Sequence, residues 1–86
     1  MDEKLRKIIG RVLALPENEI RPELNAAQVE RWDSLGHLEL ILEIEREFGV
    51  RYRAADIPRL KSVGELQQAL RTLVPPDGTK SVRQPS

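Results

Sequence analysis

WDSLGHLELILEIEREF, residues 32–48, is the stretch that decides how the chain is read. Leu35, Leu38, Ile41, Leu42 and Phe48 recur at spacings of three, four and seven, which predicts one broad apolar face on a helix. Asp33 and Ser34 precede the pattern, where residues that accept from the free N–H groups of a first turn belong. Glu39, Glu43, Glu45 and Glu47 take much of the remaining surface, and Gly49 follows as a candidate C-terminal cap. The stretch thus predicts a helix from about 34 to 48 with a hydroxyl at its head, above an apolar seam and beside an acidic face.

On the N-terminal side, Leu5, Ile8, Ile9 and Val12 form an i, i+3, i+4, i+7 stripe and predict a first helix over 3–14. Asp2 and Glu3 favour its start through the helix dipole, and Pro16 stops it. Residues 16–33 form a long connection containing Pro16, Asn18, Pro22 and Asn25. Such a length normally argues against a compact arrangement, but Ile20, Leu24, Val29 and Trp32 supply apolar anchors across the bundle. Trp32 is read as a packing residue.

On the C-terminal side, Val50-Arg51-Tyr52 reads as a short extended link. Ala54-Ala55-Asp56-Ile57 is expected to form one helical turn ended by Pro58. A last helix, about 63–73, carries Val63, Leu66, Ala69, Leu70 and Leu73 on one stripe. Ser62 and Glu65 have the spacing of a capping box at its start. From Pro75 the composition changes to PPDGTKSVRQPS, which has too little apolar area to offset the entropy of ordering. The expected organisation is one domain over 1–74 and a disordered tail over 75–86. The expected fold is all-α, a small four-helix bundle of three main helices and one short one with a long first loop.

Composition narrows the function classes. With 14 Lys and Arg against 14 Asp and Glu, the chain lacks the basic surplus of a nucleic-acid module. One Trp, one Tyr and one Phe are too few for a base-stacking platform. There is no cysteine, so thiol chemistry has to come from a bound group, and a reducing, cytoplasmic setting is expected. No segment approaches the ~20 apolar residues of a membrane span. The single histidine, His37, stands among scattered carboxylates without metal-ligand spacing, and no metal site is expected.

Chemistry concentrates at Ser34. A serine in this place is either a helix cap or a displayed hydroxyl whose modification the first-turn N–H groups tolerate when it is anionic. Asp33, Ser34 and His37 are also the residue types of a hydrolase triad. Neighbours on one helical turn rarely align for proton transfer, however, and the chain has neither a G-x-S-x-G elbow nor an evident oxyanion hole. His37 is expected to be a partly exposed residue beside Ser34.

Three segments, Asp33-Ser34-Leu35, Leu38-Glu39-Leu40 and Glu45 through Phe48, resemble the acyl carrier protein family and its peptidyl and aminoacyl relatives. The resemblance extends over roughly residues 3–73. It implies that the domain is a non-enzymatic, monomeric carrier. It also implies that Ser34, flanked by Asp33 and Leu35, is esterified with 4′-phosphopantetheine from coenzyme A. The implied partners are a phosphopantetheinyl transferase, a ligase that loads acyl or aminoacyl cargo, and a downstream synthase or transferase. These partners would dock on Glu39, Glu43, Glu45 and Glu47. Leu38, Leu42, Ile44, Phe48, Ile57 and Leu60 would line a space for acyl cargo between the second and third helices, or would serve as core. Gly36 departs from the pattern, since fatty-acid carriers usually have an acid there. Arg46 interrupts the acidic run, and Arg51, Arg53, Arg59 and Lys61 make the following region basic. With neutral overall charge, these departures point to a dedicated biosynthetic pathway rather than bulk fatty-acid synthesis. The reading from another class is a helical docking module without a prosthetic group; intact mass after exposure to a transferase separates the two.

Overall fold

The structure, a computed structural model, describes residues 2–73, so the tail expected over 75–86 lies outside the described residues. Three α-helices, α1 (Glu3–Leu13), α2 (Ser34–Phe48) and α3 (Val63–Leu73), are joined by segments that carry single 3-10 turns at Glu17–Glu19, Ala26–Gln28 and Ile57–Arg59. Among the described residues there is no strand beyond an isolated antiparallel bridge between Asn25 and Ser62.

Each helix starts on a side-chain acceptor. The Asp2 carboxylate accepts from the N–H groups of Lys4 (2.7 Å) and Leu5 (3.2 Å) at the head of α1. Ser62 Oγ accepts from Glu65 N (3.1 Å) at the head of α3. The return bond of the expected capping box is displaced by one residue, because the Glu65 carboxylate accepts from Lys61 N at 2.8 Å. α1 ends one residue earlier than its periodicity predicts. Ala14 turns into the left-handed region (φ 57°), and its N–H bonds back to Gly10 O. Gly49 ends α2 as expected, at φ 66°.

The short fourth helix is displaced from its expected place. Ala54–Asp56 form a turn, and the helical hydrogen bonding falls on Ile57–Arg59, with Pro58 inside it. Proline is compatible there because the first N–H groups of a helical turn have no partner to lose and the ring presets φ.

The core gathers Leu5, Ile8, Ile9 and Leu13 of α1, Leu40, Ile41 and Ile44 of α2, and Val63, Leu66 and Leu70 of α3. Ile20, Val29 and Trp32 of the long connection, with Tyr52 and Leu60, complete it. Full burial of each such Leu or Ile contributes about 1.5–3 kcal/mol before ordering costs. Backbone bonds also fasten the connection to the head of α3. Ala26 N donates to Lys61 O (2.8 Å), Val63 N to Leu24 O (2.9 Å) and Gly64 N to Pro22 O (2.9 Å).

The apolar seam expected on α2 is rotated. Ile41 is buried, but Leu35, Leu38 and Leu42 are 65%, 50% and 55% exposed, whereas Leu40 and Ile44 are fully buried. α2 has more apolar residues than one face holds, and the face toward α1 is the one that closes the core. Tyr52, read as part of a plain link, is buried. Its backbone N–H donates to Glu45 Oε2 (2.8 Å) and its hydroxyl to Leu66 O (3.1 Å), so it ties α2 to α3.

Candidate functional site

Ser34 is the first residue of α2, and it is exposed. The cap is its neighbour: Asp33, in extended backbone geometry, accepts from Gly36 N through Oδ1 at 2.8 Å. The cap role that competed for Ser34 is thus filled by Asp33, and the serine hydroxyl stands free of that duty. The N–H groups of Ser34 and Leu35 belong to the first turn, which has no partners within the helix.

Gly36 has a steric cause. A Cβ on it would meet the Arg31 carbonyl oxygen at 1.9 Å and the Arg31 carbonyl carbon at 3.1 Å. The loop before α2 lies against the helix at that point and leaves no room for a side chain, acidic or otherwise. The departure noted at this position follows from packing.

His37 is part-buried and bonded at both ring nitrogens. The Trp32 indole N–H donates to Nδ1 at 2.8 Å. Nε2 lies 2.7 Å from the Ile57 carbonyl oxygen. An indole N–H only donates and a carbonyl only accepts, so His37 is the neutral tautomer with its proton on Nε2. The Trp32 and His37 rings also stack, with centroids 6.2 Å apart. His37 is partly exposed, as expected, but with both ring nitrogens engaged neither is available to take a proton from Ser34.

A groove of about 660 Å³ opens beside Ser34, lined by Ala27, Trp32, His37, Leu38, Ile57 and Lys61 among others. Of the six residues assigned to a cargo space, Leu38 and Ile57 reach this groove. Leu42 does not: it lies on the exposed face of α2. Ile44 and Leu60 are buried in the core. Phe48, at the far end of α2, lies under the Lys4 ammonium, 4.9 Å from the ring centroid.

The four carboxylates of α2 also divide. Glu39 and Glu47 are exposed. Glu43 is half-buried and pairs with Arg11 (2.9 Å) and, less closely, with Arg46 (3.8 Å). Glu45 is half-buried on the Tyr52 amide. Burial, and then the Glu45 charge, hold the Tyr52 phenol well above its usual ionisation range. Glu43 and Glu45 therefore serve the domain's own structure, while Glu39 lies beside the exposed Leu35, Leu38 and Leu42. Tyr52 and the Trp32–His37–Ile57 chain were missed by pattern reading, since each bond joins residues with no periodic relation.

No group of three or more His, Cys, Asp or Glu side chains among the described residues is arranged to hold a metal ion. No described helix is long and apolar enough to cross a membrane. Residues 3–70 match the family model described as a phosphopantetheine attachment site. The chain is 33% identical over 61 residues to an acyl carrier protein of Acidothermus cellulolyticus, covering 71% of this chain and 73% of that relative. It is 30% identical over 63 residues to an acyl carrier protein of Thermotoga maritima, covering 73% and 78%.

Proposed function

The chain belongs to the acyl carrier protein family, and from that premise we propose that Ser34 bears its phosphopantetheine. On this reading the domain carries an acyl, polyketide or aminoacyl intermediate for a dedicated biosynthetic pathway. Family membership implies a covalently attached 4′-phosphopantetheine, a group that supplies, when bound, the thiol on which cargo is held as a thioester. One observation carries the assignment to Ser34: its exposed hydroxyl sits at the first position of α2 while Asp33 does the capping.

The residues present suit a phosphodiester. The unpaired first-turn N–H groups and the positive end of the helix dipole favour an anion there. Asp33 holds the turn through Gly36 N, so modification of Ser34 leaves the cap in place. His37, bonded at both nitrogens, supports neither a triad nor hydrolysis at this serine. The domain's own contribution is tethering, which raises the effective concentration of cargo at a docked enzyme.

Partners are proposed to meet the exposed side of α2. Leu35, Leu38 and Leu42 form an uncovered apolar strip that begins at Ser34, and Glu39 adds a charge beside it. A phosphopantetheinyl transferase, a loading ligase and a downstream synthase or transferase are the expected visitors. The exposed cations Arg46, Arg51 and Arg53 and the neutral overall charge support partners of a dedicated pathway over those built for uniformly acidic carriers.

The test is intact mass after incubation with coenzyme A and a phosphopantetheinyl transferase. Wild type is expected to gain one phosphopantetheine and Ser34→Ala none. A modified Ser34→Ala protein moves the attachment elsewhere, and an unmodified wild type favours a docking module without a prosthetic group.

A further inference from the structure

Trp32 and His37 lie on opposite sides of the serine, two residues before it and three after. The indole-to-imidazole bond therefore straddles the turn that presents Ser34, and the second His37 bond fastens that turn to the Ile57–Arg59 segment across the groove. We propose that His37 is a positioning residue, which as its Nε2–H tautomer clasps the Ser34 turn between Trp32 and Ile57 and so sets the direction in which the hydroxyl is presented. This role rests on Ser34 being the modified residue.

The chemistry of the clasp is specific to histidine. Nδ1 accepts and Nε2 donates, at opposite ends of one rigid ring. Protonating the imidazole places a hydrogen on Nδ1, against the indole N–H, and the Trp32 bond is lost. Asp33, from the loop before α2, and Lys61, from the segment before α3, are the charged groups that share the groove with His37. The Ile57–Arg59 turn contributes Ile57 and Pro58 to the groove lining, neither of which carries a charge. Asparagine places a carbonyl oxygen near the position of Nδ1, and glutamine places an N–H near that of Nε2, so each keeps one of the two bonds.

Trp32 is the sole tryptophan, so the indole N–H gives one NMR resonance that reports the clasp directly. In the unmodified protein this resonance is expected downfield of its position in His37→Ala. A resonance that coincides in the two proteins overturns the clasp. Modification kinetics test the positioning. Misplacing the attacking hydroxyl is expected to lower kcat of the transferase reaction about tenfold in His37→Ala, with KM nearly unchanged because the docking side chains are untouched. His37→Asn and His37→Gln are expected to fall between, and they stand in for His37→Ala if circular dichroism shows that variant unfolded. An unchanged kcat in variants whose indole resonance has moved overturns the positioning role alone. An unmodified wild type overturns it together with the Ser34 reading.

Discussion

At the residue scale, the site depends on three neighbours with separate duties: Asp33 caps, Ser34 is displayed and Gly36 makes room. Asp33→Ala should cost about 1 kcal/mol of stability through the lost cap. Ser34→Ala should stay within about 0.5 kcal/mol, since an exposed residue off the cap has little to lose. Gly36→Ala should cost about 1–3 kcal/mol or more, because its methyl group meets a backbone oxygen that cannot rotate away. Urea unfolding of the three variants checks the order; a Gly36→Ala protein as stable as wild type would show that the loop does not lie against the helix. The place of Ser34 at the head of α2 was legible from its neighbours in sequence. The cause of Gly36 was not, since the obstructing Arg31 carbonyl is brought there by the path of a loop.

At the element scale, α2 presents two overlapping apolar stripes, and they should respond differently to truncation. Leu40→Ala is expected to cost roughly 2–5 kcal/mol, and Leu42→Ala only about 0.5 kcal/mol. Equal losses in thermal unfolding would mean that the face assignment is reversed. The carboxylates divide likewise. Glu39→Gln should slow modification of Ser34 at low ionic strength and have little effect at high salt, with stability unchanged. Glu45→Gln should instead lower stability, because it weakens the acceptor of the Tyr52 amide. If Glu39→Gln is modified at the wild-type rate at both salt levels, docking belongs to the leucines alone. Tyr52 adds a pH signature. Its phenol is raised above an ordinary value near 10, so the folded state keeps a proton that the unfolded chain releases. The stability it contributes is complete below pH 10 and declines as pH rises beyond it. The melting temperature of wild type should fall more steeply above pH 10 than that of Tyr52→Phe, and parallel curves would refute this.

At the scale of the whole molecule, the long connection is fastened to the head of α3 by backbone bonds. The first-turn N–H groups of a helix ordinarily exchange with solvent early, yet Val63 N and Gly64 N donate to Leu24 O and Pro22 O. Amide exchange should find these two protected, while the corresponding first-turn amides of α2, Ser34 and Leu35, exchange quickly; fast exchange at Val63 and Gly64 would mean that the connection is not pinned. The sequence by itself determined three helices within a residue or two of their ends, because capping residues, glycine, proline and a period of 3.6 act within one turn of chain. It also determined that Ile20, Val29 and Trp32 anchor the connection, since apolar residues in a polar loop have few other uses. Tertiary structure alone decided which stripe of α2 is core, since Leu38 and Leu42 are as apolar as Leu40 and Ile44, and only the placement of α1 and α3 selects between them. It decided likewise that Glu43 pairs with Arg11, that Glu45 holds the Tyr52 amide, and that Trp32, His37 and Ile57 meet. Each of these depends on a bond or contact between residues that no local periodicity relates, so each is fixed by how the helices pack together.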